Sequence, residues 1–226
     1  MVLFIKSFLV LVLLSLSLSC SKNQTSKVNP LDRINTKGLT KITAELRKLA
    51  LSEISYFFEI DLRASKDRSL YSGTSSIVFN FLKSNYRGDS LTVDFEKGLV
   101  EEVYANGKRL SDFKYNGHYL SILKKHLAED KNTLKIKFSQ KYSKTGSGFH
   151  KFTDPIDKKT YLYTDFEPYD ANLFAPMFDQ PNLKAIYGLS VITPSHWEVI
   201  SSTKEQYSQV ENKYKKWSFP KTQKFS

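Results

Sequence analysis

From position 55 onward the apolar residues of this 226-residue chain recur, for the most part, at every second place. That period puts successive side chains on opposite faces of a strand, one face to bury and one to wet. The spacing predicts strands over 55–62, 71–82, 90–95, 99–105, 119–123, 133–142, 160–166, 184–193, 196–202 and 214–219. Asn106-Gly107 and Asn116-Gly117 are tight-turn pairs between such runs, and Pro194 breaks the chain between two of them. The aromatic residues are mostly Phe (16) and Tyr (13), side chains that suit a pleated surface. The expected fold is therefore mostly β, an antiparallel sandwich or saddle of many short strands. One short helix precedes it over 39–51, where Leu39, Ile42, Leu46, Leu49 and Ala50 fall on one helical face.

The N-terminus obeys a different pattern. After Lys6, residues 7–19 form a Leu-rich apolar run, shorter than the roughly 20 residues that span a bilayer. A short basic region followed by such a run reads as an export signal. The run ends in Ser17-Leu18-Ser19-Cys20, which resembles a bacterial lipoprotein cleavage box, with Ser17 where such boxes usually carry Leu or Val. The resemblance implies a signal peptide over 1–20 and a lipidated Cys20. It places the protein in a bacterial envelope, anchored to a membrane and facing the periplasm or exterior. An ordinary signal peptide cut near Cys20, or an uncleaved anchor, are the alternatives. Cys20 is the only cysteine, so no disulfide closes within the chain. Residues 21–37 are polar and include Pro30, as expected of a flexible tether, leaving 38–226 as the folded domain.

The formal net charge is +11, from 34 Lys+Arg against 23 Asp+Glu. Such a balance suits anionic lipid or nucleic acid. The lysines are scattered and interrupted by acids, the densest stretch being KYKK at 213–216. With an export signal in front, the charge reads as a solvated surface near a membrane, and nucleic acid is not an expected partner.

Two adjoining stretches carry the chemistry: GSGFHKFTDPIDKKT (146–160) and YLYTDFEPYDANLFAPMFDQPNLKA (161–185). Together they resemble the signature of the N-terminal domain of the aminopeptidase N family, zinc exopeptidases of the gluzincin group. Phe178-Asp179-Gln180-Pro181 followed by Lys184-Ala185 is similar to that family's F-D-Q/E-P-x-x-K-A motif, and Pro194-Ser195-His196-Trp197 to its P-x-H-W turn. The resemblance spans about 39–226. It implies that Asp165 and Glu167, in TDFEP, bind substrate by holding its free α-amino group. A carboxylate suits that task, because its hydrogen bond to an ammonium is charge-assisted. Two residues apart on one strand, the two would share a face. Asp165 stands where the family commonly has Gln. The same resemblance implies packing roles for Phe166, Phe178 and Pro181, and a turn braced through the backbone of Asp179.

No H-E-x-x-H occurs, and the four histidines, His118, His126, His150 and His196, are far apart. The two-histidine zinc pair with its intervening general base is thus absent, and so are a nucleophile elbow, a P-loop and a Rossmann glycine pattern. No metal or other cofactor is expected in this chain. The resemblance places zinc in a catalytic domain that would follow Ser226, so the chain is expected to be incomplete at its C-terminal end, a truncated product without peptidase activity by itself. The expected function is the non-catalytic part of an aminopeptidase N-like zinc metallopeptidase, shaping the substrate cleft and anchoring the peptide N-terminus. The alternative is a self-standing envelope lipoprotein that binds peptides or proteins.

Overall fold

A computed structural model describes residues 38–64 and 69–226. Cys20, the apolar run at 7–19 and the tether at 21–37 lie outside the described residues. The domain begins with α1 (Lys41–Ala50), whose first turn is capped where Thr40 Oγ1 accepts the Thr43 N–H at 3.2 Å. Its buried residues are Thr43, Leu46, Arg47 and Ala50, the i, i+3, i+4, i+7 spacing of one helical face. The expected face differs by a small rotation: Ile42 and Leu49 are exposed. The reason is Arg47, a residue that polarity alone assigns to solvent and that is here fully buried.

The chain leaves α1 directly into β1 (Leu51–Asp61). There follow β2 (Leu70–Phe81), β3 (Ser90–Asp94), β4 (Leu99–Ala105), β5 (Lys108–Arg109), β6 (Lys114–Tyr115), β7 (Tyr119–Leu123) and β8 (Asp130–Lys141). Next come β9 (Gly148–Thr153), β10 (Thr160–Asp165), β11 (Ile186–Pro194), β12 (Tyr207–Glu211) and β13 (Tyr214–Phe219). The fold is mostly β, as its alternation implies. One sheet has eight strands in the order β12-β13-β11-β1-β2-β8-β4-β5; a second has β3-β7-β6, and β9 and β10 form a separate hairpin. The strand pairs are antiparallel except β1 with β11, which run parallel. Asn106 and Gly107 both take positive φ (51° and 81°) where β4 turns into β5, the backbone that an Asn-Gly hairpin turn requires.

Two strands depart from expectation. Residues 196–202 form a turn and an irregular segment rather than a strand. The edge position beside β13 is taken instead by β12, all five residues of which are exposed, so it has no alternation to read. β9, paired with β10, is a further strand outside the expected set; the Gly146-Ser147-Gly148 start carries no alternating pattern.

The core lies between the large sheet and the second layer. Ile77, Phe79, Phe81, Leu134, Ile136 and Phe138 of the large sheet meet Leu91, Val93, Leu120 and Ile122 of the small one, all fully buried. Phe95 crosses the gap edge-on to Phe138, ring centroids 5.3 Å apart. β3 is covered on both sides: Leu91 and Val93 turn to this core, and Thr92 and Asp94, on the opposite face by strand alternation, meet Arg47 of α1.

Arg47 is bidentate on Asp94, Nη1 donating to Oδ2 at 2.6 Å and Nη2 to Oδ1 at 3.0 Å. Nη2 also donates to the Thr92 carbonyl at 2.7 Å and to Thr92 Oγ1 at 2.9 Å. Burial disfavours the guanidinium charge, but the Asp94 carboxylate outweighs it and the Arg47 pKa lies above its ordinary value. Removing one member would strand a buried charge, at a cost of about 3–5 kcal/mol. Arg47→Ala and Asp94→Ala should each lower unfolding free energy by about that much in urea titrations, while Arg47→Met with Asp94→Leu should cost less than either single change. Equal or additive losses would contradict this reading.

Candidate functional site

The second layer covers β2, β8 and β4. At the β1–β11–β13 end the inner face of the large sheet is met by the β9–β10 hairpin, the stretch 166–181, the segment 196–203 and residues 219–226, and there a groove of about 1070 Å³ remains. Phe58, Ile60, Leu189 and Val191 form its floor, and Leu162 and Thr164 of the hairpin its overhang. The groove is therefore the place where the sandwich is left open.

The hairpin is fixed at its root. Phe149 packs edge-on against Tyr71 (5.0 Å) and Phe174 (5.5 Å). Gly148 has φ +71°, and a Cβ there would stand 2.7 Å from Leu173 Cβ, so both backbone and space require glycine. His150 braces the loop before the hairpin: its Nδ1 accepts the Gly146 N–H at 3.0 Å and its ring lies 4.8 Å from that of Tyr163.

β10 ends at Asp165, so Glu167 lies beyond the strand and the shared-face argument does not hold. Glu167 precedes a cis bond to Pro168, and its N–H donates to Asp165 Oδ1 at 3.4 Å. Both acids are exposed. Glu167 stands on the groove wall, whereas Asp165 is not among the residues that line it. The chain then makes a single helical turn over Ala171–Leu173 and enters the FDQP segment.

That segment is a clamp. The Asn172 backbone N–H and Nδ2 both donate to Asp179 Oδ2, at 2.9 and 2.8 Å. The Asp179 N–H donates to Asp94 Oδ2 at 3.0 Å, so Asp179 braces the turn by carboxylate and backbone together. The Phe178 N–H donates to Tyr56 Oη at 3.0 Å and Gln180 Nε2 to the Ala44 carbonyl at 2.9 Å. Met177 bridges to Asp94 through two backbone hydrogen bonds of 2.7 and 3.0 Å. Phe178 is buried against Phe79, and Phe166 lies on Phe174; Pro181, expected to pack, is exposed. Sequence reasoning missed Arg47 and Asp94 as the anchors of this clamp. The one signal was a basic residue in the middle of a helical apolar face.

Tyr187 lines the groove with its ring stacked on Tyr56 (5.3 Å) and tilted onto Phe225 (4.7 Å). Burial, with the Asp179 charge adding to it, pushes its hydroxyl up to about 12. Burial also raises the Asp179 carboxyl above its ordinary value. Among the described residues no group of three His, Cys, Asp or Glu side chains is placed to hold a metal ion.

Residues 54–226 match the family model described as the Peptidase M1 N-terminal domain. The chain belongs to that family. It is 32% identical over 190 residues to an aminopeptidase N of Streptomyces lividans, covering 84% of this chain and 21% of the relative. It is 31% identical over 122 residues to a probable aminopeptidase 1 of Sulfurisphaera tokodaii, covering 54% and 15%. A glutamyl aminopeptidase of Mus musculus is 37% identical over 78 residues, 33% of this chain and 8% of that protein. The chain thus spans about a fifth or less of the length of these relatives. The family is zinc-dependent, and the domain matched here is its N-terminal one.

A hydroxyl whose folded pKa is raised favours the folded state below the unfolded value near 10 and loses that advantage as pH climbs to the folded value. Stability should therefore fall between pH about 10 and about 12, and Tyr187→Phe should flatten part of that fall in alkaline unfolding curves. An unchanged curve would mean that Tyr187 ionises as freely in the fold as out of it.

Proposed function

We propose that this chain is the cleft-forming N-terminal domain of a zinc aminopeptidase, building one wall of the substrate cleft and receiving the substrate's free α-amino group on Glu167, with Asp165 beside it. One observation carries the reading: Glu167 lies on the wall of the open apolar groove, two residues beyond the end of a hairpin rooted in the core. The aminopeptidase names of the relatives support it. The groove accepts the apolar part of a peptide's first residue while the carboxylate pairs with its ammonium. Water activation belongs to the zinc of a catalytic domain, and the chain alone performs no hydrolysis.

The energetics set the size of the effect. Glu167 is exposed, and an exposed ion pair contributes no more than about 1 kcal/mol. A catalytic domain closing over the groove would exclude water and strengthen the same contact. Titrating the full chain with a short peptide, followed by NMR shifts, should show the free amine binding about two- to fivefold more tightly than its N-acetylated form. Glu167→Gln should abolish that difference and Asp165→Asn should reduce it. Equal binding of both peptides to the unaltered chain would overturn the assignment, as would zinc-dependent hydrolysis of an aminoacyl reporter by the chain itself.

A further inference from the structure

The outer face of the eight-stranded sheet, on the side away from the groove, has an uneven charge. β8 is an interior strand, flanked by β2 and β4. Its inward residues, Asn132, Leu134, Ile136, Phe138 and Gln140, are buried, and its outward ones are Lys131, Thr133, Lys135, Lys137, Ser139 and Lys141. At roughly 3.4 Å per residue the four lysines form a row about 34 Å long. The row beside it on β2 consists mainly of small hydroxyl and amide side chains: Ser72 faces Ser139, Thr74 faces Lys137, Ser76 faces Lys135 and Asn80 faces Lys131.

The carboxylates on this face are few. Lys137 donates to Glu102 at 2.6 Å, and Arg109 of β5 lies 3.4 Å from the same acid. Lys131, Lys135 and Lys141 have no acidic partner among the described residues. The Glu101 charge on β4 also acts on Lys137; farther off, Glu59 and Asp61 are on β1, and Asp61 is already taken by Arg63 at 2.6 Å. Neither β8 nor β2 places an aromatic ring on this face; Tyr104 of β4, across from Lys135, and Phe57 of β1, across from Ser76, flank the two rows. The lysines project from a broad sheet face rather than line a cleft, which suits a surface better than a chain lying in a groove.

We propose that this lysine row on β8, with the hydroxyl row of β2, docks the domain on an anionic lipid bilayer and turns the opposite, groove-bearing side away from it. Each lysine close to an anionic leaflet adds attraction that salt screens. The proposal is independent of the role given to Glu167.

The test is vesicle co-sedimentation of the full chain, comparing phosphatidylcholine vesicles with vesicles containing phosphatidylglycerol, against a variant carrying Lys131→Glu, Lys135→Glu and Lys141→Glu. The unaltered chain should prefer the anionic vesicles by at least about tenfold at low salt, and the triple variant should lose that preference. Binding to phosphatidylcholine alone should be the same for both, since any apolar N-terminal contribution is common to them. Circular dichroism checks that the variant folds; if it does not, amine-reactive labelling of the unaltered chain takes its place. Lys131, Lys135 and Lys141 should then be protected by anionic vesicles and not by neutral ones. No anionic preference, an unchanged preference in the triple variant or no protection would overturn the proposal. Tighter binding to duplex DNA than to anionic vesicles, lost in the variant, would overturn it in favour of a linear polyanion.

Discussion

The Arg47–Asp94 pair ties together three parts of the chain that lie far apart in sequence. Arg47 comes from the N-terminal helix and Asp94 from the second layer, 47 residues away. Asp179, 85 residues further on, donates its N–H to the same Asp94 oxygen that receives Arg47 Nη1. A buried carboxylate that accepts a bidentate guanidinium and a backbone N–H has its charge met on several sides, the condition under which burying an ion pair is tolerable. The pair adds specificity of arrangement more than raw stability, because its geometry fits only one placement of helix, strand and clamp. Phe178, with the Arg47 guanidinium 5.5 Å from its ring centroid, closes the assembly.

The groove follows from that arrangement. The second layer is small, three strands against eight, and its β3 is tied to α1 and to the clamp through Asp94. The other end of the large sheet is left to a two-stranded hairpin and irregular segments, which bridge the inner face without filling it. Glu167 is thus placed by the end of the hairpin and the turn that follows it. The strand stops at Asp165, the turn after it is anchored by Asn172 and Asp179, and among the described residues the Glu167 carboxylate has no hydrogen-bond or ion-pair partner.

Much of this was legible where burial is one-sided. The strands β1, β2, β4, β7, β8 and β13 have the alternation of a sheet with one wet face, and the Asn106-Gly107 turn states its own geometry. Legibility failed for three physical reasons. β12 is exposed throughout and has no buried face to betray it. The parallel pairing of β1 with β11 joins segments so far apart in sequence that no local pattern encodes it. Arg47 reads as solvent-facing by residue type, and only the carboxylate it meets across the core makes its burial affordable. At the site, the resemblance to a family, and not periodicity, pointed to Glu167. The alternation argument that placed Asp165 and Glu167 on one face failed, because the strand ends between them.

The central claim is that one buried network welds helix, second layer and clamp into a unit that opens only when the whole domain does. Residue-resolved hydrogen exchange of the full chain under native conditions tests it directly. The amides of Asp94, Met177, Phe178 and Asp179, all hydrogen-bonded within the network, should share one slow rate, equal to that of the core amides of β2 and β8. If the Met177–Asp179 amides exchange orders of magnitude faster than those of β2 and β8, the clamp opens independently and the Arg47–Asp94 pair does not govern the site.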